Sequence, residues 1–114
     1  MKEPCNSHCE TNFEVTQFQL DAELTLSLQA KALAHPARIR ILHILHTLDT
    51  LGGCLNSDLV SELGLAQSTV SEHLRILKQA DFISAEPIPP KVCYRIRRST
   101  LEAFNSSFST LLLK

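Results

Sequence analysis

Four cysteines are the residues of this chain best suited to chemistry: Cys5, Cys9, Cys54 and Cys93. A thiolate binds soft metal ions and can also be oxidised, so thiols that a fold brings together indicate a metal site or a redox site. The N-terminus is polar and lacks the apolar core of a secretory signal. We therefore expect reduced thiols in a cytoplasmic protein, and not a framework of structural disulfides.

Other reactive patterns are poorly supported, so we do not expect an enzyme. The chain has no Cys-x-x-Cys pair at a predicted helix start, no paired carboxylates within one motif and no glycine-rich phosphate loop. His43 and His46 are i, i+3 neighbours on a predicted helix, which is more typical of a partly exposed flank than of a metal site. His73 falls near a buried flank, where we expect a packed, hydrogen-bonded side chain.

The stretch from Asn56 to Ala80 has the pattern of two short helices joined by a turn at Gly64, and the other elements are arranged around it. Glycine suits the left-handed residue that follows the end of a helix. In the second half, Val70, Leu74 and Leu77 recur at helical spacing and predict a buried stripe. The sequence therefore predicts a helix-turn-helix.

The face of the second helix opposite that stripe is polar. Short hydroxyls near its start and longer hydrogen-bonding side chains further along are what reading base edges in a DNA major groove requires. An ordinary amphipathic helix with a solvated face is the alternative, but the first helix, the glycine turn and the polar start occur together and favour DNA. The candidate DNA contacts on this helix are Gln67, Ser68, Thr69, Ser71, Glu72, Arg75, Lys78 and Gln79.

Two helices are predicted before this motif. Apolar residues alternate strictly from Phe18 to Ala32, which by period alone would favour a strand. The run is longer than ordinary strands and rich in helix-forming residues, so we predict a helix over residues 13–34. His35-Pro36 then interrupts the chain, and Pro36 suits the first position of a second helix that runs to about Leu51.

A β-hairpin and a last helix are predicted after the motif. Phe82–Glu86 and Lys91–Arg97 have the pattern of two strands separated by a stiff, proline-rich turn over residues 87–90. Residues 99–102 fit a capping box that opens the last helix. We expect the apolar stripe of that helix to share a core, across a two-fold axis, with the helix over residues 13–34.

These elements predict one mainly α domain with a small β-hairpin wing, a winged helix-turn-helix, over residues 13–114. A flexible, cysteine-containing arm over residues 1–12 precedes it. We expect a homodimer formed through the N- and C-terminal helices. No apolar run approaches the roughly 20 residues that span a bilayer, so we expect no membrane partner.

The charge distribution is compatible with DNA binding but does not require it. The formal net charge is −1, with an excess of acidic residues over 1–35, whereas residues 36–98 carry more basic than acidic side chains. Lys91 near the tip of the hairpin and Arg97 at its end are candidate phosphate contacts. Because the basic excess is modest, we expect few phosphate contacts and a shallow dependence of DNA affinity on salt.

Two segments, KALAHPARIRILHIL and SDLVSELGLAQSTVSEHLRILKQADFI, resemble the ArsR/SmtB family of winged-helix, metal-sensing repressors. The resemblance covers about Lys31 to Ile96. It implies a homodimer that sits on operator DNA and leaves it when a ligand binds, with Gln67–Lys78 as the recognition helix. Ala66 stands where many members have a capping serine, and the wing lacks the glycine and the arginines usual at its tip.

The resemblance also implies positions at which a metal-sensing site could lie in this chain. Some members bind zinc between their C-terminal helices, but residues 99–114 hold no histidine and a single acidic residue, Glu102. Others carry a cysteine pair before the recognition helix, where this chain has Leu55 and Ser57. The run Cys5-Asn6-Ser7-His8-Cys9 resembles the arm cysteines of cadmium- and lead-sensing members, which complete a thiolate site on the other subunit.

A winged-helix fold brings the two remaining cysteines together. A short strand around Leu55 pairs in such folds with the return strand of the wing. We expect Leu55, Val92 and Tyr94 to face the core, so that Cys54 and Cys93 face outward on adjacent strands. Their Cβ atoms would lie about 5 Å apart if the residues are opposed, which suits two ligands of one soft ion, or a disulfide.

We therefore predict a DNA-binding transcriptional repressor that a soft, thiophilic ion releases from its operator, with no constitutive cofactor. The inducer would be As(III) or Sb(III), or else Cd(II), Pb(II) or Zn(II), bound by Cys54 and Cys93 with a third ligand from Cys5 or Cys9 of the partner subunit. A repressor in which Cys54 and Cys93 close a disulfide under persulfide or peroxide is the alternative. A helical interaction module without DNA contact, its cysteines simply packed, also remains open.

Overall fold

The computed structural model describes residues 14–56 and 63–114 of the 114-residue chain. Its elements are helices α1 (Gln17–Leu33), α2 (Pro36–Thr50), α3 (Gln67–Gln79) and α4 (Arg98–Leu112) and strands β1 (Leu55–Asn56), β2 (Ile83–Ile88) and β3 (Lys91–Ile96). The predicted first helix of the helix-turn-helix falls mostly on residues 57–62. The predicted arm with Cys5 and Cys9 falls on residues 1–13. Both therefore lie outside the described residues.

Helix α1 confirms the helical interpretation of the alternating segment. Its start is a capping box: the Gln19 backbone N–H donates to Thr16 Oγ1, and the Thr16 N–H donates to Gln19 Oε1, each at 3.0 Å. Reciprocal bonds of this kind satisfy N–H groups that the first helical turn leaves without partners. The helix therefore begins at Gln17 and not at residue 13.

Helix α2 begins where proline predicted it. Pro36 occupies the first helical turn, and His35 Nδ1 accepts a hydrogen bond from the Ala37 backbone N–H at 3.0 Å. On its inner face, Ile41 and Leu45 are each 1% exposed. The helix ends at Thr50, and the chain then turns at a glycine in the left-handed region.

The strands form an antiparallel sheet in the order β1-β3-β2. Leu55 opposes Tyr94, which confirms the predicted short strand before the helix-turn-helix. Pro87 opposes Val92 and therefore lies inside β2. The expectation that Pro87 belongs to the turn is wrong, since only residues 89–90 form it. An edge strand tolerates proline because one side of it needs no N–H donor.

The core lies where α2, α3, α4 and the hairpin meet. Its most deeply buried side chains, each less than 2% exposed, are Phe82, Ile41, Leu45, Leu77, Ile83 and Val70. Phe82 packs edge-on against Phe104 of α4, with ring centroids 6.2 Å apart. This contact joins the start of the hairpin to the C-terminal helix.

Helix α4 begins at Arg98, and no side chain caps its start, so the expected capping box over residues 99–102 is wrong. A long-range contact holds this helix start instead. Arg98 Nε donates to Asp49 Oδ2 at 2.8 Å, and Arg98 Nη2 lies 3.2 Å from His46 Nδ1. The first turn of α4 is therefore positioned by the end of α2 and not by its own neighbours in sequence.

Helices α1 and α4 pack together and leave an apolar surface exposed. Leu20, Leu24 and Leu28 recur every four residues on α1 and are 44%, 59% and 58% exposed. Phe108 and Leu112 are exposed on α4. Exposed apolar surface of this kind is typical of a face that another protein covers. No helix in the described part of the chain has the length and apolar character to cross a membrane.

Candidate nucleic-acid interface

Helix α3 displays the predicted DNA contacts and buries the predicted stripe. Val70, Leu74 and Leu77 are at most 4% exposed. Gly64 has a φ of +75°, the left-handed conformation expected at the turn between the two helices. The predicted contacts on this helix are all exposed: Gln67, Ser68, Thr69, Ser71, Glu72, Arg75, Lys78 and Gln79.

Hydrogen bonds order the middle of this polar face. Arg75 Nε donates to Glu72 Oε1 at 3.0 Å, Arg75 Nη2 donates to the other carboxylate oxygen, and Arg75 Nη1 donates to Gln79 Oε1 at 3.0 Å. The hydrogen bond from Arg75 lowers the pKa of Glu72, and the same contact raises the pKa of Arg75. Both groups are therefore charged at neutral pH, and the arginine fork is held in one orientation.

A histidine on the buried side anchors α3 to α2. His73 is 7% exposed, its ring lies 4.4 Å from that of His35, and Arg38 Nη1 lies 3.2 Å from His73 Nδ1. This confirms the expectation of a packed, hydrogen-bonded residue. Burial, followed by the charges of His35 and Arg38, lowers the pKa of His73, and Glu72 opposes the shift. Neutral His73 is the form that accepts from Arg38.

Arg38 is the residue of this contact that the sequence did not reveal. Its Nη1 donates across 35 positions of sequence to His73. Its Nε is buried and has no hydrogen-bond partner among residues 14–56 and 63–114. No periodic pattern relates an arginine on one helix to a histidine on another, so the pair is visible only in three dimensions.

A groove separates α3 from the hairpin. Ser71, Leu74, Arg75 and Lys78 line its helix side, and Ala85, Pro87, Val92 and Tyr94 line its hairpin side. Lys91 and Arg97, the candidate phosphate contacts, are both exposed. Arg97 Nε lies 3.6 Å from Asp81 Oδ1, a loose ion pair that a phosphate can replace. The α3 side of this groove thus presents Ser71, Arg75 and Lys78, whereas the hairpin side is apolar apart from Tyr94.

Cys54 and Cys93 are joined by a disulfide, with Cα atoms 5.8 Å apart. The structure therefore brings the two predicted thiols together. It does not place Cys93 outward as expected, because this residue is 4% exposed. Cys93 lies on the central strand, between Asn56 of β1 and Glu86 of β2, and its sulfur is bonded to that of Cys54. Because strands lie on both sides of Cys93 and its sulfur is bonded to that of Cys54, little of its side chain contacts solvent.

Our prediction that these two sulfurs bind a soft ion requires both of them to be reduced. Within residues 14–56 and 63–114, no group of three or more histidine, cysteine or acidic side chains is placed to hold a metal ion. The third ligand that we predicted, Cys5 or Cys9, lies outside these ranges. What the described residues supply is a dithiol that closes to a disulfide.

The comparisons with known proteins agree on a family. Residues 35–85 match the profile described as bacterial regulatory protein, arsR family. An uncharacterized HTH-type transcriptional regulator of Mycobacterium tuberculosis, Rv0081, is 46% identical over 56 residues, which cover 48% of this chain and 46% of that protein. The chain thus spans about half the length of the curated relatives that it matches.

Solved structures extend the likeness beyond the matched segment. An ArsR-like transcriptional regulator from Rhodococcus sp. RHA1 has a TM-score of 0.65 at 18% identity, covering 80% of this chain and 82% of its own. The homodimeric winged helix-turn-helix DNA-binding domain Mb0332 from Mycobacterium bovis has a TM-score of 0.65 at 20% identity, covering 89% and 94%. These two similarities confirm the predicted fold class, a winged helix-turn-helix.

The crystal structure of M. tuberculosis Rv0081 has a TM-score of 0.53 at 28% identity and covers 86% of this chain and 91% of its own. The same relative, Rv0081, is therefore similar to this chain both in sequence and in structure. Over residues 35–85 the chain is therefore similar to the arsR family of bacterial regulatory proteins.

Proposed function

We propose that this chain is a transcriptional repressor that binds operator DNA as a homodimer, with α3 in the major groove. The observation that carries the proposal is the arrangement of α3: its polar face is exposed along the whole helix while Val70, Leu74 and Leu77 are buried. A helix so held can enter a groove about 12 Å wide without losing its own packing. The homodimeric DNA-binding neighbour from M. bovis supports the same assembly.

Replacing Ser71 by aspartate tests this proposal. Ser71 is exposed and lines the groove between α3 and the hairpin, so a carboxylate there would face phosphates and base edges. Repulsion between like charges costs several kcal/mol at an interface, and we expect the affinity for a duplex selected from a random library to fall about 100-fold or more. Fluorescence anisotropy with the labelled duplex measures the change.

Thr47→Asp is the matched control, because it adds the same charge at an exposed position of α2, away from the groove. Its affinity for the selected duplex should stay within about 3-fold of the parent chain. If Ser71→Asp binds the duplex as tightly as Thr47→Asp does, α3 is not the DNA-reading helix. A chain that enriches no duplex at all would instead support an interaction module without DNA contact.

We further propose that Cys54 and Cys93 receive the inducing signal. Cys54 directly precedes β1 and Cys93 lies on β3, the central strand, and one side of the groove beside α3 is built from the hairpin that contains β3. A ligand held by both thiols would restrain β1 against β3, and a restraint there can shift the hairpin relative to α3. The candidate ligand is As(III) or another thiophilic ion, with Cys5 or Cys9 of the partner subunit as a third thiolate.

Oxidation is the second candidate signal, and the disulfide favours it. A peroxide would take two electrons from the dithiol: the S–S bond forms, the O–O bond breaks, and two molecules of water leave with the thiol protons. A persulfide would accept the same two electrons and the two thiol protons, its own S–S bond breaking to give a thiol and hydrogen sulfide. Both reactions require two sulfurs that lie close enough to form a bond, and the sulfurs of Cys54 and Cys93 meet this requirement.

One titration distinguishes the two signals. Reduced protein bound to its selected duplex is treated with As(III) or with hydrogen peroxide, and release is followed by anisotropy. Release by As(III) that Cys54→Ser and Cys93→Ser each abolish supports the metalloid, whereas release by peroxide with loss of two hydrogens in non-reducing mass spectrometry supports oxidation. We expect a change in affinity of about 5- to 150-fold for the effective agent. If neither agent shifts binding, the signalling role of these cysteines is wrong.

A further inference from the structure

We propose that Arg75 reads a guanine in the major groove and that Glu72 and Gln79 are positioning residues that aim it. The inference rests on the proposed function, in which α3 binds DNA, and it deepens that function by naming a base and the residue that selects it.

The hydrogen bonds of the guanidinium group point to guanine. An arginine has five N–H groups. In this chain the Nε–H and one N–H of Nη2 donate to Glu72, and one N–H of Nη1 donates to Gln79. One N–H therefore remains on each terminal nitrogen. Two donors on the neighbouring terminal nitrogens of one planar group can pair with the O6 and N7 acceptors that guanine displays in the major groove.

The exposure of this pair indicates a role in orientation and not in stability. The side chains of Arg75 and Glu72 are 53% and 54% exposed. An exposed ion pair contributes little to the free energy of unfolding. Holding a long side chain in one orientation does, however, reduce the entropy lost when that side chain binds a ligand.

The surroundings of Arg75 are suited to a base-reading role. Arg75 lies along the groove between α3 and the hairpin, with Ser71 one turn before it and Lys78 one turn after it. A carboxylate so near to DNA phosphates is unfavourable unless it is neutralised, and the Glu72 carboxylate accepts two of the five Arg75 donors. Lysine cannot form the same planar fork, so the pair is specific to arginine.

The test uses the full chain and a duplex selected from a random library. At each selected guanine, one probe carries 7-deazaguanine, which lacks the N7 acceptor, and another carries inosine, which lacks only the minor-groove amino group. We expect 7-deazaguanine at one position to weaken binding by the parent chain about 5- to 150-fold, and inosine at the same position to leave it unchanged.

Three variants locate the effect in Arg75. Arg75→Ala removes every donor at this position and should bind guanine and 7-deazaguanine probes equally. Glu72→Ala should reduce the ratio between these two probes, while Glu72→Gln, which keeps an acceptor for Arg75, should preserve most of it. Lys78→Ala is the control: it should weaken binding to every probe alike and leave the ratio unchanged.

The outcomes separate this inference from the function on which it rests. If the parent chain enriches no duplex, both are wrong. If it enriches a duplex, and Arg75→Ala still prefers guanine to 7-deazaguanine at the same position, DNA binding stands and the role of Arg75 is wrong. If Glu72→Ala and Glu72→Gln have the same ratio as the parent chain, Glu72 does not position Arg75.

Discussion

Replacing Leu28 by glutamate should convert the dimer that we propose into monomers and, with it, abolish tight binding to a two-fold symmetric operator. Leu28 is 58% exposed on α1, in one line with Leu24 and Leu20. Burying an unpaired carboxylate in an apolar interface costs several kcal/mol, and a two-fold interface contains the substitution twice. We expect the dimer dissociation constant to rise about 100-fold or more, measured by sedimentation equilibrium.

Leu51→Glu is the matched control, because Leu51 is 77% exposed but lies at the end of α2 and not on the surface formed by α1 and α4. The same change of leucine to glutamate there should leave the dissociation constant within about 2-fold of the parent value. A Leu28→Glu variant that remains dimeric would show that this line of leucines is not the interface. The apolar surface would then need another explanation.

Replacing His73 by alanine should lower the free energy of unfolding by about 2–3 kcal/mol. The Arg38 guanidinium has a buried Nε with no partner in the part of the chain that the structure describes, and it donates to His73 through Nη1. Removing the imidazole takes away that acceptor and leaves a gap beside Arg38. Urea denaturation measures the loss. His43→Ala, at an exposed position of α2, should change the free energy by no more than about 0.5 kcal/mol.

The same histidine should make the fold sensitive to mild acid. The folded chain lowers the pKa of His73 from its ordinary value of 6.5, so below that value the unfolded chain binds a proton that the folded chain resists. The contribution of His73 is therefore complete above pH 6.5 and is lost as the pH falls through and below that value.

His73→Asn isolates this titration, because asparagine offers Arg38 an acceptor but does not titrate. The free energy of unfolding should fall less between about pH 7.5 and about pH 5.5 in this variant than in the parent chain. Equal decreases in the two proteins would mean that other groups cause the acid sensitivity. Comparing decreases, and not absolute values, removes the contributions of the remaining histidines.

Local patterns predicted the helices and the sheet well. The spacing of Val70, Leu74 and Leu77 was sufficient to orient α3, because a helix that packs on one side needs apolar residues every three or four positions. The secondary structure of the segment that forms α1 is harder to predict, because its alternating apolar residues are also typical of a strand. Its content of helix-forming residues correctly predicts a helix. The capping box at Thr16 explains why that helix begins at Gln17 and not at residue 13.

Contacts between residues that lie far apart in the chain could not be predicted from the sequence. The contact of Arg38 with His73 and that of Arg98 with Asp49 each join residues far apart in the chain. The second contact sets the start of α4, where a local capping box had been expected. Cys93 is a further example. The alternation of residues along β3 predicts the face of the sheet on which Cys93 lies, but not how deeply other residues bury its side chain. The role of these cysteines as ligands stays a prediction.

The position of Pro87 bears on how the protein behaves at high concentration. β2 is an outer strand of the sheet, and an outer strand normally offers free main-chain groups on which a strand from another molecule can add. Pro87 has no N–H to donate near the end of β2, and two further prolines follow where the chain reverses. The hairpin can therefore extend from the domain toward a nucleic acid without recruiting its own copies into a growing sheet.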